Sequence, residues 1–259
     1  MITIDTLTIC LLCLFAFSAG FVDAIAGGGG LIQTPASLIL LPQFPVTTVI
    51  GSLKIPAFSG TGFAVMQYLK KVSLQWKLLM VMCITAFIAA FAGSELLSVV
   101  GNRFMKPVIF GILIIVAIYT YTKKDFGQQT ERQQAPAKQM GYALLISALI
   151  GFYDGFIGPG AGSFLVLAFI SILGLDFLHA SASAKLVNLS TNFGSIILFL
   201  LKGTILWSIA IPMAISNGLG GIAGARLALN KGNRFIRAFF LLIITGTLLR
   251  FGYDIFIRK

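Results

Sequence analysis

The chain has 259 residues, of which 58% are hydrophobic and only 10% are charged. A soluble domain carries about 25% charged residues, so this chain cannot cover a water-facing surface. Its apolar runs are long enough to cross a bilayer as helices, which takes roughly 20 residues. The net charge of +11 lies mostly in short loops, which favours positive-inside loops and contact with anionic lipid over nucleic acid. The composition therefore predicts an all-α polytopic membrane protein.

The first half of the chain predicts five helical segments. The first runs from about Asp5 to Ala26 and stops at the glycine run Gly27–Gly30. It has no basic N-terminal region, so we expect a retained transmembrane helix rather than a signal peptide. The next piece, 31–41, is too short to cross a bilayer upright. The other three segments cover 46–68, 73–100 and 104–121.

A polar stretch separates the two halves of the chain. Residues 123–140 are rich in Lys and Gln and contain Gly and Pro, which is typical of a connector. We therefore divide the chain into a first transmembrane repeat at 1–122, this connector, and a second transmembrane repeat at 141–259. The second half predicts the same order of segments, with a glycine-rich break at Gly158–Gly162. Its segments cover 142–157, 163–173, 177–201, 206–225 and 235–257.

The second half repeats the first at a constant offset of 131 residues. Duplication with paired broken helices is typical of secondary transporters. Each repeat has four to five helical segments, which gives eight or more spans. The basic loops favour inverted repeats with five crossings per half, while four crossings, which would leave the repeats parallel, stay open. The aligned pairs include Asp23 and Asp154, Lys54 and Lys185, and the predicted interfacial anchors Trp76 and Trp207.

The two glycine-rich breaks form the first candidate site. A broken helix exposes N–H and C=O groups, which are costly in hydrocarbon unless protein or a water-filled cavity satisfies them. The N-terminus of the helix that follows carries a partial positive charge and can hold an anion. Close helix packing is the alternative, but two matched breaks, each four residues after a matched Asp, favour a substrate site. The candidate substrate-binding glycines are Gly28, Gly29, Gly30, Gly160 and Gly162.

Four matched charges lie inside apolar segments, namely Asp23, Lys54, Asp154 and Lys185. A charge at such a place costs at least ~2.5 kcal/mol, so it is retained for a reason. A structural reason would be that Asp–Lys pairs, within a half or across the pseudo-symmetry axis, stabilise the fold. Alternatively, the lysines would attract an anion and the aspartates would bind a cation or a proton. A coupling role and a structural role both stay open for the aspartates, and a functional role is favoured for the lysines.

Polar side chains accompany both lysines. Ser183, Asn188 and Asn192 surround Lys185, and hydroxyl residues surround Lys54. A polar stripe in a membrane helix must face protein or water, and this one offers the donors that a small oxyanion needs. Hydrogen bonding between helices is the alternative. Because the second half is richer in amide donors, we expect substrate selectivity to lie there.

Interpretations other than a transporter have less support in the sequence. The run Gly-Pro-Gly-Ala-Gly lacks the Gly-Lys-Ser/Thr of a phosphate-binding loop. His179 is the only histidine, so we expect no metal site, and we expect no cofactor. An intramembrane hydrolase that uses Ser163 and His179 stays an alternative. Glu95 and Arg226 align with opposite charge and either pair with each other or are solvated.

The Asp-plus-glycine motifs resemble the paired signatures of the sulfite exporter TauE/SafE family, also called the toluene sulfonate uptake permease family. The residues that carry the resemblance are Gly-Phe-Val-Asp-Ala-Ile-Ala-Gly-Gly-Gly-Gly at 20–30, Gly-Phe-Tyr-Asp-Gly-Phe-Ile-Gly-Pro-Gly-Ala-Gly-Ser-Phe at 151–164, Ser-Ala-Lys-Leu-Val-Asn at 183–188 and Gly-Ala-Arg at 224–226. The resemblance covers nearly the whole chain. It implies a bacterial inner-membrane permease for sulfur-containing or organic anions such as sulfite or sulfonates.

The sequence thus predicts a multi-pass permease of the cell inner membrane that carries a small, sulfur-containing or organic anion and is coupled to protons. A passive anion channel is the alternative. Lys54 and Lys185 would supply a positive field at one midplane site, and Asp23 and Asp154 would gate it or bind the proton. The expected partners are the small anionic substrate and membrane lipid, with no nucleic acid, and self-association into a homo-oligomer stays open.

Overall fold

The computed structural model describes residues 4–100 and 136–256, with side chains described over 4–100 and 138–231. Within these ranges the chain forms eight helices and no strand. Segment 104–121 and most of the connector lie outside the described residues. The helices are α1 (Thr6–Ala26), α2 (Gly30–Leu40), α3 (Val46–Tyr68), α4 (Trp76–Val99), α5 (Pro136–Phe156), α6 (Ala161–Ser171), α7 (Phe177–Leu201) and α8 (Trp207–Phe256).

Local sequence signals set the ends of α1. The Asp5 carboxylate accepts a hydrogen bond from the Thr8 backbone N–H at 3.1 Å and so caps the first turn. At the other end Gly27 adopts a left-handed conformation, with φ of +76°, and its N–H donates to the Asp23 carbonyl at 2.8 Å. This is the usual glycine C-cap, and it turns the chain sharply before α2 begins.

Most predicted segments match helices closely, but the end of the chain differs from the prediction. The sequence predicts separate segments at 206–225 and 235–257, whereas the structure has one helix, α8, of 50 residues. The stretch between them contains Gly and Asn but no Pro. A helical glycine costs only about 1 kcal/mol, so it does not by itself end a helix. The start of α5 at Pro136 likewise places residues 136–140 in a helix rather than in the connector.

Five of the described helices are long and apolar enough to cross a membrane. The two short helices have 11 residues each, which is about 16 Å of helix. A bilayer core is about 30 Å thick, so neither short helix spans it upright. The candidate spans are Thr6–Ala26, Val46–Tyr68, Trp76–Val99, Phe177–Leu201 and Trp207–Lys231.

The helices of the two halves interleave. Helix α1 packs along α8, α4 packs along α5, and α3 packs against α7 and α8. Small residues allow the backbones to approach closely at these crossings. Gly220 and Gly224 of α8 lie against the carbonyls of Phe17 and Phe21 on α1, and Gly151 and Gly155 of α5 lie against Ala86 and Ala90 of α4. Each half therefore depends on the other for its packing.

Large apolar side chains cover the outside of the bundle. Leu14, Ile84 and Ile215 are more than half exposed, as side chains that face lipid would be. Trp76 and Trp207 begin α4 and α8 and are about half exposed. These positions suit the predicted anchoring role of the two tryptophans at the membrane interface.

Glu95 pairs with Lys202 rather than with Arg226. The Lys202 Nζ lies 2.8 Å from the Glu95 Oε1, and the two side chains are 33% and 46% exposed. Arg226 is exposed. An exposed ion pair contributes about 0–1 kcal/mol, because water screens it. We therefore expect Glu95→Gln to change the melting temperature in detergent by less than about 4 °C. A larger fall would mean that this pair is desolvated in the folded protein.

Candidate anion-binding site between the two halves

The two glycine-rich breaks contact each other at the centre of the protein. A Cβ atom on Gly27 would lie 2.4 Å from the carbonyl carbon of Gly162, and a Cβ atom on Gly162 would lie 2.7 Å from the Gly27 oxygen. The Ser163 hydroxyl donates to the Ala26 carbonyl at 3.0 Å across the same contact. Side chains are excluded at this point, so the two breaks meet backbone to backbone.

Lys54 of α3 reaches across to the second half and pairs with Asp154. Its Nζ lies 3.0 Å from the Asp154 Oδ1 and also donates to the Asp154 carbonyl. The two side chains are only 6% and 5% exposed. A Cβ atom on Gly158, which has φ of +91°, would lie 3.3 Å from the Lys54 Nζ. Glycine at this position thus leaves room for the ammonium group.

Both carboxylate oxygens of Asp154 have partners. Oδ1 accepts from Lys54, while Oδ2 accepts from the Asn188 Nδ2 at 2.9 Å and from the Thr191 hydroxyl. Asp154 is therefore held firmly against α7.

Lys185 of α7 forms the equivalent pair with Asp23 of α1. Its Nζ lies 3.2 Å from the Asp23 Oδ2, and the Thr61 hydroxyl donates to the same oxygen at 3.3 Å. Lys185 is 1% exposed, but Asp23 is 17% exposed. Asp23 thus has fewer donors than Asp154 and is more accessible to water.

Both Asp–Lys pairs connect the two halves of the chain, whereas the sequence leaves pairs within a half equally open. The four charges sum to zero, since each lysine has an aspartate within salt-bridge distance. The sequence predicts a positive field from the two lysines, and in this structure a carboxylate lies beside each of them. An ion pair of this kind offsets part of the cost of burying each charge.

A cavity of about 60 Å³ lies between the breaks and the ion pairs. A water molecule needs at least about 10–15 Å³ of such space, so the cavity has room for about four waters or one small ion. Nine of the predicted site residues line it. They are Asp23, Gly29, Gly30, Lys54, Asp154, Gly160, Gly162, Asn188 and Asn192.

Three predicted site residues lie elsewhere. Gly28 is buried in the first break, and its carbonyl accepts from the Leu31 N–H at 3.1 Å. Lys185 does not line the cavity, but its Nζ pairs with Asp23, which does. Ser183 lines a second cavity of about 260 Å³, whose wall is mostly apolar and includes His179.

Sequence reasoning missed three polar residues that line the central cavity, Gln33, Thr34 and Asn217. The Asn217 Nδ2 donates to the Gln33 Oε1 at 2.7 Å, and both residues are buried. None of the three aligns with a polar residue in the other half, since they align with Phe164, Leu165 and Ala86. The signal that could have found them is an amide inside an apolar segment, with or without a match in the repeat.

The serine and histidine of the hydrolase alternative have separate partners. Ser163 donates to Ala26, whereas the His179 Nδ1 lies 2.5 Å from the Asp176 Oδ2 at the start of α7. Burial raises the pKa of the Asp176 carboxyl, but hydrogen bonds from His179 and Leu178 outweigh it and hold the pKa below its ordinary value. Among the described residues, no three His, Cys, Asp or Glu side chains cluster as metal ligands would.

Membrane-crossing helices that enclose paired breaks, buried ion pairs and a small polar cavity define a polytopic membrane protein of the transporter class. The family model described as sulfite exporter TauE/SafE matches residues 12–251. The chain belongs to this family of membrane transporters.

Curated relatives agree with this assignment. A probable membrane transporter protein of a Sinorhizobium species is 33% identical over 92% of this chain and 90% of its own length. One of Haemophilus influenzae is 33% identical over 98% of this chain and 97% of its own. One of Escherichia coli is 31% identical over 92% of this chain and 87% of its own. No solved structure matches the chain.

Proposed function

We propose that the protein is a secondary transporter of the cell inner membrane for a small, sulfur-containing or organic anion, with two inverted repeats around one site. The observation that carries this proposal is the pair of buried Asp–Lys bridges beside the central cavity. The two bridges occupy equivalent positions in the repeat, since Lys54 aligns with Lys185 and Asp23 aligns with Asp154 at the offset of 131 residues. The family assignment supports transport, and the names of the relatives give no enzymatic activity.

The substrate binds in the central cavity. Lys54 lines it and offers an ammonium group, and the breaks bring the N-termini of α2 and α6 to it. Neither Gly29 nor Gly160, the residues that precede these helices, has a side chain to cap the first N–H groups. Such N–H groups are a favourable environment for an anion. A volume of about 60 Å³ suits a small oxyanion.

Proton coupling follows from the balance of charge. An anion added to four charges that sum to zero leaves one negative charge in excess inside the bilayer, which is costly. Protonation of one aspartate removes that excess and releases its lysine. Asp23 is the better candidate, because it is more exposed and has fewer donors than Asp154. The proton and the anion then bind together, each raising the affinity for the other.

We expect Asp23→Asn to uncouple transport from the pH gradient. The amide imitates the protonated carboxylate, so the charge that balances the bound anion is present at every pH. Radiolabelled sulfite uptake into proteoliposomes, with and without an inward proton gradient, measures the effect. In the wild-type protein the gradient should raise the initial rate, and in Asp23→Asn the ratio of the two rates should be about one, because no proton is bound.

The aligned variant Asp154→Asn serves as the control. It removes a carboxylate that Lys54, Asn188 and Thr191 all contact, so it should lower the thermal stability more than Asp23→Asn does. Gradient-independent flux through the wild-type protein would support a passive anion channel instead. A gradient response that survives in Asp23→Asn would place the proton on another group.

A further inference from the structure

Gln33 carries a buried side-chain donor that has no partner among the residues that the structure describes. Its side chain lines the central cavity one turn into α2, and the residue is 4% exposed. Within the described part of the chain, its Nε2 makes no hydrogen bond. Buried polar groups in native proteins are nearly always paired, and an unpaired one calls for an explanation such as a missing ligand.

The hydrogen bond with Asn217 concerns which atom of the Gln33 amide lacks a partner. The Asn217 Nδ2 donates to the Gln33 Oε1 at 2.7 Å. With the Asn217 Nδ2 as the donor, reversing the Gln33 amide alone would set two NH₂ groups face to face, so the orientation of Gln33 follows from that of Asn217. Asn217 packs closely against two glycines, since a Cβ atom on Gly60 would lie 1.8 Å from its Oδ1 and one on Gly20 would lie 2.2 Å from its backbone oxygen. An oxygen suits this contact with the glycine Cα–H groups better than an NH₂ group would, which supports the orientation of the Asn217 amide.

The other amides at the cavity are already in use. The Asn188 Nδ2 donates to Asp154, and the Asn192 Nδ2 donates to the Asn188 carbonyl at 2.8 Å. Gln33 and Asn217 also lie outside the symmetric set, since they align with Phe164 and Ala86. Among the described residues that line the cavity, the amide nitrogen without a partner is therefore the Gln33 Nε2 of the first half. The amide nitrogens of Asn188 and Asn192 in the second half both have partners.

We propose that Gln33 is a specificity-determining residue, whose Nε2 donates a hydrogen bond to an oxygen of the bound anion, and that Asn217 is its positioning residue. This inference rests on the proposed anion transport. It requires an anion that presents an unprotonated oxygen towards α2. An analogue with a methyl group at that place leaves Nε2 unpaired and binds more weakly.

The test is initial-rate uptake of radiolabelled sulfite by the full chain in proteoliposomes, with unlabelled methanesulfinate as competitor. Gln33→Met, which keeps the length of the side chain, should raise the KM for sulfite about tenfold, as loss of one hydrogen bond does, and leave the maximal rate within about twofold. It should also reduce the preference for sulfite over methanesulfinate. Gln67→Met, outside the cavity on α3, is the matched control and should change neither quantity.

A second variant guards against a folding defect, because Gln33→Met also removes the acceptor of the Asn217 amide. Gln33→Glu keeps that acceptor but replaces the donor by an oxygen, so the protein should fold and sulfite uptake should fall at least as far as in Gln33→Met. An unchanged KM and an unchanged preference in a folded Gln33 variant would overturn the inference while leaving transport intact. Failure of the wild-type protein to take up any anion in a panel of sulfite, thiosulfate, sulfonates and carboxylates would instead overturn the proposed function.

Discussion

Lys54→Met is expected to destabilise the folded protein by about 3–5 kcal/mol, because it leaves the buried Asp154 charge without its partner. The Lys54 and Asp154 side chains are almost completely buried, so water cannot replace the lost contact. Anion uptake should be lost as well, since Lys54 is the lysine that lines the cavity. Thermal unfolding in detergent measures the first effect, and sulfite uptake into proteoliposomes measures the second.

The double variant Lys54→Met with Asp154→Asn separates the two roles of this pair. Replacing both members of a buried ion pair by neutral groups is often neutral for stability, and the introduced amide can still accept from Asn188 and Thr191. We expect the double variant to recover most of the lost stability and to remain inactive. Recovery of transport together with stability would show that Lys54 only holds the fold.

Gly27→Ala is expected to destabilise the protein by about 2–5 kcal/mol. A left-handed backbone costs a residue with a Cβ roughly 1–2 kcal/mol, and forcing an atom into a packed contact costs roughly 1–3 kcal/mol more. The atoms in the way belong to the backbone of Gly162 and Ser163, so no side chain can rotate to make room. The yield of monodisperse protein and the melting temperature in detergent measure the effect.

Gly141→Ala is the control for this prediction. A Cβ atom on Gly141 would meet no atom within 4 Å, and the residue lies in helix α5. Alanine favours a helix over glycine by about 1 kcal/mol, so stability should stay the same or rise slightly. Equal stability of the Gly27 and Gly141 variants would mean that the two breaks do not touch in the membrane.

Much of the fold follows from the sequence because hydropathy and helix-breaking residues act locally. The predicted segments 46–68 and 177–201 coincide with α3 and α7, whose ends are set by nearby Pro45 and Asp176. The break predicted between 225 and 235 was wrong, since a glycine and an asparagine weaken a helix without ending it. The inverted arrangement of the repeats stays a prediction, because segment 104–121 lies outside the described residues.

The partners of the charged residues depended on packing that local sequence does not encode. The repeat singled out Asp23, Lys54, Asp154 and Lys185, but pairs within a half and pairs across the halves satisfy the same sequence pattern. The structure has the second arrangement, because Lys54 of α3 pairs with Asp154 of α5 and Lys185 of α7 pairs with Asp23 of α1. Gln33 was missed for a different reason. It aligns with Phe164 in the second repeat, so it does not belong to the polar residues that match between the halves.

The exchange of partners between the halves also constrains how the protein is synthesised. The first half leaves the ribosome first, carrying Asp23 and Lys54 in apolar helices. Their partners, Lys185 and Asp154, follow 162 and 100 residues later. Until then each charge is unpaired in the bilayer, at a cost of at least ~2.5 kcal/mol on insertion scales. We therefore expect each half alone to be less stable in a bilayer than the two halves together.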